Sequence, residues 1–470
     1  MAQCESTDFL AGVIEGFYGQ PWSPAERLEL FNWMAQWGLN TYLYAPKDDL
    51  KHRALWRDSY SPSEAETLRE LIGACKQRNL RFIYALSPGL DLHYSRHADL
   101  ELLKRRFEQM QDLGCRDFSL LFDDIPDRMD PEDLKQWGSL ASAQSHVANA
   151  IFKWIQEQCN GSLLLFCPTA YCGRMAERKL GGEDYLPTLG RELLPGVDVF
   201  WTGPEIVSQE ITLGHVQELQ EVLRRKPVIW DNLHANDYDA RRFFCGPYAG
   251  RPPELRNAVN GLLVNPNNEF PLNFVPLRTM AQFVSCKGAW DSRKAYISAM
   301  REWLPHFATV GAPVALEDLI LLGDCYYLPY EEGPEAEDLV ERATALLTSV
   351  PAEWERQVVP FLQQVSRLRE LCVRITELRE RPLFYALRSR IWELREELEL
   401  LNGYLGAKFK VGDPITCSSD SHLPGTFRGG MVARLQRLLV QQPDGTFSPV
   451  GGSVAGRTAD ATGLRTIPAA

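Results

Sequence analysis

Two neighbouring carboxylates, Asp123 and Asp124, follow directly after the short apolar run that starts at Phe118. An apolar run bounded by a polar turn is typical of a strand that is buried on both faces. Two ionised carboxylates side by side repel each other, so the two aspartates are expected to hold a proton with unequal strength. Such a difference suits a general acid beside a charged stabilising group. On this stretch alone, a helix cap, a turn or a metal site is an equally good interpretation of the pair.

The size and charge of the chain limit the classes of protein to consider. A chain of 470 residues exceeds what one hydrophobic core usually organises, so two or three domains are expected. The net charge of -12 argues against nucleic acid or an anionic membrane surface as the main partner. The first residues lack the basic and apolar segments of a secretory signal, which predicts a cytoplasmic protein. The 11 cysteines include no CxxC pair, so no structural zinc site is predicted.

Strand-like runs alternate with amphipathic helical stretches over the first 285 or so residues. Their spacing of roughly 30–45 residues is the size of a βα unit. Eight parallel strands that alternate with helices predict an α/β fold, a (β/α)₈ TIM-type barrel. The predicted strands are Gly12–Tyr18, Thr41–Pro46, Arg81–Ser87, Phe118–Ile125, Leu163–Thr169, Val197–Thr202, Pro227–Leu233 and Gly261–Asn265.

Two of the intervening helices carry clear start signals. Ser23 and Ser61 each precede a proline, and a glutamate follows each serine three residues later. This spacing predicts a capping box, with proline at the first helical position.

The second half of the chain has a different pattern, because strand signals vanish and Leu, Arg and Glu dominate. Apolar residues three and four apart predict long helices over Ala336–Leu347, Glu353–Arg379 and Leu383–Leu401, and hence an all-α helical bundle. Two interpretations stay open for it: a simple bundle, or a stalk that binds a partner or forms a homodimer. The pattern over Met431–Val440 predicts one more helix or a strand. The Gly- and Thr-rich end from Val450 is expected to be flexible.

The predicted domains are therefore a catalytic barrel over residues 1–286, a stalk-like helical bundle over 287–405 and a partly flexible C-terminal segment over 406–470.

In a (β/α)₈ barrel the functional residues lie at the carboxyl ends of the strands. The predicted strand ends are rich in Asp, Asn, Tyr and Trp, with one lysine and several glycines. Carboxylates and amides hydrogen-bond to neighbouring hydroxyls, and aromatic faces stack on the C–H surface of a sugar. These ends lack a phosphate-binding glycine loop and a metal-ligand spacing of histidines. Neither a metal nor a cofactor is predicted, and the simplest inference is a carbohydrate pocket with a carboxylate pair, with glycoside hydrolysis as the reaction.

Adjacent aspartates fit the usual two-carboxylate mechanism poorly, because that mechanism places the two groups on opposite sides of the scissile bond. They fit better if the nucleophile belongs to the substrate. A 2-acetamido sugar carries one, its own carbonyl oxygen. One aspartate would then accept a hydrogen bond from the acetamido N–H, and the other would protonate the leaving oxygen and later deprotonate water.

Four segments resemble the O-GlcNAcase family of glycoside hydrolases. They are GVIEGFYG from Gly12, NTYLYAPKDD from Asn40, FDDI from Phe122 and WDNLHANDYD from Trp230. The resemblance covers the whole barrel and extends, with weaker motifs, into the helical region. It implies a retaining exo-β-N-acetylglucosaminidase that removes O-linked GlcNAc, and Ser or Thr of proteins is the expected attachment site. The reaction would pass through an oxazoline intermediate and would need no cofactor.

The resemblance also implies roles for individual residues. Asp123 matches the residue that orients the acetamido group, and Asp124 matches the general acid and base. Tyr171 matches a contact to the acetamido oxygen, and Trp230 matches a residue that lines the pocket. The residues that match groups holding the sugar hydroxyls are Gly16, through its backbone oxygen, Lys47, Asn232, Asp237 and Asn265.

Two other functions stay open. The same chemistry could act on a glycan or cell-wall fragment instead of a glycopeptide. A barrel without activity could also serve as a glycan-binding scaffold. For single residues the plain alternatives are a tight turn at Gly16 and at Asn265, which precedes a proline, and a solvated charge at Lys47. Tyr171 and Trp230 could be core aromatics.

Overall fold

The computed structural model describes residues 9–348, 351–408, 429–441 and 447–450. These residues form two compact units. The first unit runs to Asp237 and also includes Tyr248–Phe270 and Leu277–Asp291. The second comprises Tyr238–Pro247, Pro271–Pro276 and the described residues from Ser292 onward. The predicted division into three domains at residues 286 and 405 stays a prediction.

The first unit is built on a closed barrel of eight parallel strands. Each strand pairs with the next one along the chain, and the eighth pairs with the first. This topology confirms the predicted (β/α)₈ TIM-type barrel. The strands are β1 (Leu10–Glu15), β2 (Thr41–Tyr44), β3 (Arg81–Leu86), β4 (Asp117–Leu121), β5 (Leu164–Cys167), β6 (Val197–Trp201), β7 (Val228–Asp231) and β8 (Gly261–Val264).

Alternation along each strand divides the side chains between the barrel interior and the surrounding helices. Ile14, Leu43, Leu121 and Leu263 belong to one buried cluster to which all eight strands contribute. Residues of the other parity point outward: the ring of Tyr42, for example, lies 4.9 Å from the ring of a helical phenylalanine. The interior is therefore filled mainly by apolar side chains, both aliphatic and aromatic.

Both predicted capping boxes are confirmed. The side chains of Ser23 and Ser61 accept hydrogen bonds from the backbone N–H of Glu26 and Glu64, at 3.3 and 3.4 Å. The two glutamates accept in return from the serine N–H groups, at 2.8 and 2.7 Å. The helices around the barrel are α1 (Pro24–Trp37), α2 (Pro62–Gln77), α3 (His97–Asp112), α4 (Pro131–Trp137), α5 (Leu140–Gln158), α6 (Gly173–Glu177), α7 (Tyr185–Glu192), α8 (Leu213–Leu223), α9 (Leu255–Ala258) and α10 (Phe274–Ser285).

The strands end earlier than their apolar runs predicted. The fourth run, predicted over Phe118–Ile125, leaves the sheet after Leu121. Asp124 has a φ of 51°, a left-handed conformation that a strand cannot contain. The first predicted strand likewise stops at Glu15 instead of Tyr18. The residues beyond these ends form the loops at the carboxyl end of the barrel.

The second unit is mainly helical, with α11 (Ser292–Trp303), α12 (Leu316–Asp324), α13 (Pro334–Thr348), α14 (Pro351–Thr376), α15 (Arg381–Lys408) and α16 (Gly430–Gln436). Helix α14 packs against α13 and against α15, as predicted for a bundle. Helix α15 extends to Lys408, beyond the predicted boundary at residue 405.

The predicted segment Met431–Val440 contains parts of both a helix and a strand, because α16 is followed by β9 (Leu439–Gln441), which pairs with β10 (Phe447–Pro449). The rest of the predicted C-terminal segment, including residues 451–470, lies outside the described residues. Within the part of the chain that the structure describes, no helix is both long and apolar enough to cross a bilayer.

A buried ion pair fixes the end of β7. The guanidinium of Arg251 donates to both carboxylate oxygens of Asp231 at 2.8 Å, and neither side chain is exposed. The hydroxyl of Tyr248 donates to the same carboxylate at 2.8 Å. Arg251 also donates to the backbone oxygens of Ser208 and Gln209, so its charge and its donors are well satisfied. This network ties the irregular segment before α9 to the barrel strand.

We expect Arg251→Met to destabilise the protein by about 3–5 kcal/mol, because it leaves the Asp231 carboxylate buried without its cation. Urea unfolding followed by circular dichroism measures the change. Lys179→Ala, which breaks an exposed pair with Glu183, is the matched control and should have a much smaller effect. An equal loss in the two variants would contradict the buried role of Arg251.

Candidate active site

The polar residues at the carboxyl end of the barrel keep the alternation of the strands, so their side chains lie on the inward-facing side. Side chains two positions apart on a strand share a face. Counting on by two from interior residues such as Ile14, Ala45 and Leu121 leads out of the apolar core and into the barrel mouth. The residues reached in this way are Gly16, Lys47, Asp123, Asn232 and Asn265.

Asp123 is a buried carboxylate with a fixed cation. Its exposed fraction is 6%, and its Oδ2 forms an ion pair with the ammonium of Lys47. Burial by itself raises the pKa of Asp123, but the charge and the hydrogen bond of Lys47 outweigh burial, so the pKa lies below its usual value. The other oxygen, Oδ1, is buried and accepts no hydrogen bond from the described residues. Asp123 is thus an anion with one acceptor left for a ligand.

Asp124 differs from its neighbour in exposure and in partners. It is exposed, and its two carboxylate oxygens accept hydrogen bonds from two phenols. Tyr18 donates to Oδ2 at 2.9 Å and Tyr171 donates to Oδ1 at 2.8 Å. Burial, and then the negative charge of Asp124, raise the pKa of Tyr18, so this phenol stays a donor. A carboxylate in this position is open to solvent and to a ligand.

The indole of Trp230 is joined to a chain of amides. The indole N–H of Trp230 and the side-chain amide of Asn265 both donate to Oδ1 of Asn232 at 3.0 Å. The backbone N–H of Gly16 donates to Oδ1 of Asn265 at 3.3 Å. The ammonium of Lys47 lies 5.7 Å from the centre of the Trp230 ring, within the range of a cation–π contact. These contacts fix the orientation of each amide.

Gly16 is required here for a steric reason, and a simple turn does not explain it. A Cβ atom at this position would lie 2.4 Å from the Trp230 ring and 2.8 Å from the side chain of Ile14. Any larger residue would displace the indole from the site.

Asp237 lies at the rim of the site and is half-buried. Its carboxylate accepts a hydrogen bond from the backbone N–H of Tyr18 at 3.0 Å. Through Tyr18 it is connected to Asp124, and Lys47 connects Asp123 to Trp230 and the amides. The structure thus brings all the predicted site residues together, while the roles assigned to them stay predictions.

Two residues of this site were not predicted. Tyr18 lies inside the GVIEGFYG motif, but the sequence gives no sign that its phenol reaches Asp124. His52 is fully buried; its Nδ1 lies 2.8 Å from the backbone oxygen of Ala85, and its Nε2 has no partner among the described residues. Burial, and then the positive charge of Lys47, lower the pKa of His52 to about 4. A neutral imidazole therefore lies beside the Lys47–Asp123 pair and adds no second cation.

Comparison with known proteins agrees with this geometry. A family model described as beta-N-acetylglucosaminidase matches residues 11–314. The chain is 49% identical over 273 residues to protein O-GlcNAcase of Rattus norvegicus and to that of Mus musculus. The aligned region is 58% of this chain but only 30% of either relative, so the chain matches less than a third of their length.

A solved structure of a mutant O-GlcNAc hydrolase from Thermobaculum terrenum is also similar. It has a TM-score of 0.77 and 28% sequence identity to this chain. The match covers 92% of this chain and 88% of the other chain. The similarity therefore extends well beyond the barrel.

The buried His52 should make stability depend on pH. Between its usual pKa of 6.5 and the folded value of about 4, the unfolded chain binds a proton that the folded protein excludes. Stability is therefore lost as pH falls through this window, by up to about 1.4 kcal/mol per pH unit. His52→Asn keeps a donor for Ala85 but cannot titrate, so its unfolding free energy should fall less steeply in urea unfolding at pH 7, 6 and 5. Equal slopes in the two proteins would contradict a neutral buried His52.

Proposed function

Because the chain belongs to the beta-N-acetylglucosaminidase family, whose model matches residues 11–314, we propose that it removes O-linked β-N-acetylglucosamine from Ser or Thr of proteins. The observation that carries the proposal is the unlike pair of aspartates. Asp123 is buried, anionic and has a free acceptor oxygen, whereas Asp124 is exposed between two phenols. The O-GlcNAcases among its relatives support a glycosylated protein as the substrate.

In the first step, Oδ1 of Asp123 accepts a hydrogen bond from the acetamido N–H of the sugar. This contact orients the acetamido carbonyl oxygen and stabilises positive charge on the group as that oxygen attacks the anomeric carbon. The bond from the anomeric carbon to the leaving oxygen breaks, and Asp124 gives its proton to that oxygen. The product of this step is an oxazolinium ion, the protonated form of the oxazoline, whose N–H still donates to the ionised Asp123, with Asp124 as a carboxylate.

In the second step, Asp124 takes a proton from water while the water oxygen attacks the anomeric carbon. The bond to the acetamido oxygen breaks, and the acetamido group is restored. Two displacements at the same carbon give overall retention of configuration. Lys47 keeps Asp123 ionised throughout, because its ammonium is buried against the carboxylate.

The remaining residues hold the sugar in this scheme. Lys47, Asn232, Asp237 and Asn265 bind its hydroxyls, as does the backbone oxygen of Gly16. Tyr171 contacts the acetamido oxygen, and the Trp230 ring lines the pocket beside the apolar face of the sugar.

The wider predictions rest on the sequence. They are a cytoplasmic location, no need for a cofactor, and neither nucleic acid nor membrane as a partner. For the helical region, a homodimer is one of the interpretations that stay open. The substrate would be a GlcNAc-bearing glycopeptide or glycoside.

The two aspartates should respond differently to the leaving group. With a poor phenol leaving group, Asp124→Ala should lose about 10²–10⁴-fold in rate, because the leaving oxygen departs without a proton. With 2,4-dinitrophenyl β-N-acetylglucosaminide the loss should be much smaller, and added azide should raise the rate further by replacing activated water. Asp123→Asn should lose rate on both substrates, since it acts on the acetamido nucleophile. Steady-state kinetics with the two substrates measures these effects. Full activity of either variant on the poor substrate would contradict its assigned role.

A direct comparison of substrates should distinguish a glycoprotein hydrolase from a glycan hydrolase. We expect a higher kcat/KM for a peptide with GlcNAc on serine than for chitobiose, because the proposed substrate is a protein. The Asp124→Ala variant serves as the blank, and released GlcNAc is measured by mass spectrometry. Faster release from chitobiose would favour the glycan or cell-wall substrate. Binding of both ligands without turnover would favour a glycan-binding scaffold.

A further inference from the structure

The adjacent aspartates pose a geometric problem. Neighbouring residues of an extended chain point to opposite sides, so the regular course of β4 would place Asp123 and Asp124 on opposite faces. The chain avoids this at Asp124, whose φ is 51°. L-residues other than glycine adopt this left-handed conformation only rarely, and it persists where the surroundings hold it in place.

Arg53 provides such a hold. This buried side chain comes from the segment between β2 and α2. Its Nη2 donates to the backbone oxygen of Asp124 at 2.7 Å, and its Nη1 donates to Oγ of Ser87 at 3.1 Å. Because Ser87 directly follows β3, one planar guanidinium joins the ends of β3 and β4. It thereby fixes the peptide group that sets the direction of the Asp124 side chain.

Arg53 also contacts Tyr18, which donates a hydrogen bond to the carboxylate of Asp124. The centre of its guanidinium lies 5.9 Å from the centre of the Tyr18 ring. The Tyr18 hydroxyl is the group that donates to Oδ2 of Asp124. A single arginine thus contacts both the backbone of Asp124 and one of the phenols that orient its carboxylate.

We propose that Arg53 is a positioning residue for the general acid and base, holding Asp124 in the left-handed conformation that turns both aspartates to one site. The proposal rests on the proposed function, because it needs Asp124 to transfer the proton. Arg53 does not touch the carboxylate of Asp124. Its loss should therefore misplace the acid without abolishing the acetamido nucleophile, which Asp123 orients.

A purely electrostatic role is the main competing explanation. The charge of Arg53 contributes, after burial and after Lys47, to the pKa of Asp123. Lysine keeps that charge but lacks the planar pair of donors that reaches Asp124 and Ser87 at once. Arg53→Lys and Arg53→Met therefore separate charge from positioning. Ser87→Ala removes only the second anchor of the guanidinium and is the mildest of the three variants.

The experiment measures kcat and KM for aryl β-N-acetylglucosaminides with leaving groups from 4-methoxyphenyl to 2,4-dinitrophenyl. We expect Arg53→Lys and Arg53→Met to lower kcat about 10–100-fold with the poorest leaving group, as a misplaced catalytic group does. With 2,4-dinitrophenyl the loss in kcat/KM, which reports only the steps up to departure of the leaving group, should stay below about threefold, since little protonation is needed. Ser87→Ala should lower kcat with the poorest leaving group as well, but to a smaller extent.

Arg57→Ala is the matched control. Arg57 lies on the same segment but pairs with Asp91 and Asp99, so its removal should leave the leaving-group dependence unchanged. Melting temperatures of all variants are recorded alongside, and Ser87→Ala and Arg53→Lys still decide the matter if Arg53→Met does not fold.

Three results would overturn the proposal. They are an equal loss of activity with all leaving groups, no loss of activity at all, or the same dependence on the leaving group in Arg53→Lys as in the wild type. The last result would assign the effect to charge. Wild-type protein without hydrolysis of any of these glycosides would instead refute the proposed function itself, and the role of Arg53 would fall with it.

Discussion

The buried ion pair between Lys47 and Asp123 is the interaction on which the rest of the site depends. A carboxylate buried to this extent would take up a proton unless a cation lay beside it, and it could then no longer stabilise positive charge. The lysine also limits what else can be charged nearby, because its charge helps to keep His52 neutral. The buried part of the barrel mouth thus holds one cation and one anion in contact, with an uncharged imidazole next to them.

The outward-facing side of the strands carries the polar contacts that hold this site rigid. Glu15, the last residue of β1, is fully buried and binds the guanidinium of Arg27 on α1, with the shortest contact at 2.6 Å. Asp231, the last residue of β7, binds Arg251 in the same manner. Each of these carboxylates is followed directly by an inward-facing site residue, Gly16 or Asn232. The ion pairs on the outer face therefore fix the backbone segments that carry the site residues on the inner face.

Much of the barrel could be predicted from the sequence, because burial on both faces leaves a continuous apolar run and capping residues mark the starts of helices. The residue types at the strand ends were visible for the same reason. The direction of the side chains was not: the left-handed conformation of Asp124 leaves no mark on an aspartate in an apolar run. Contacts between distant segments, such as Arg53 with Asp124 or Arg251 with Asp231, depend on strand order and on loop geometry. Periodicity carries no information on either.

The two phenols on Asp124 have a consequence for the movement of atoms during a reaction cycle. A carboxylate accepts on both oxygens, and it can therefore hold both Tyr18 and Tyr171 as donors. Once protonated, one of its oxygens becomes a donor itself, and a phenol hydrogen pointing at that oxygen must rotate away. Every transfer of a proton at Asp124 is then accompanied by a reversal in the direction of one hydrogen bond. Tyr18 and Tyr171 follow β1 and β5, on opposite sides of the barrel. The hydroxyl hydrogen of one of them therefore changes its direction whenever the charge of the carboxylate changes.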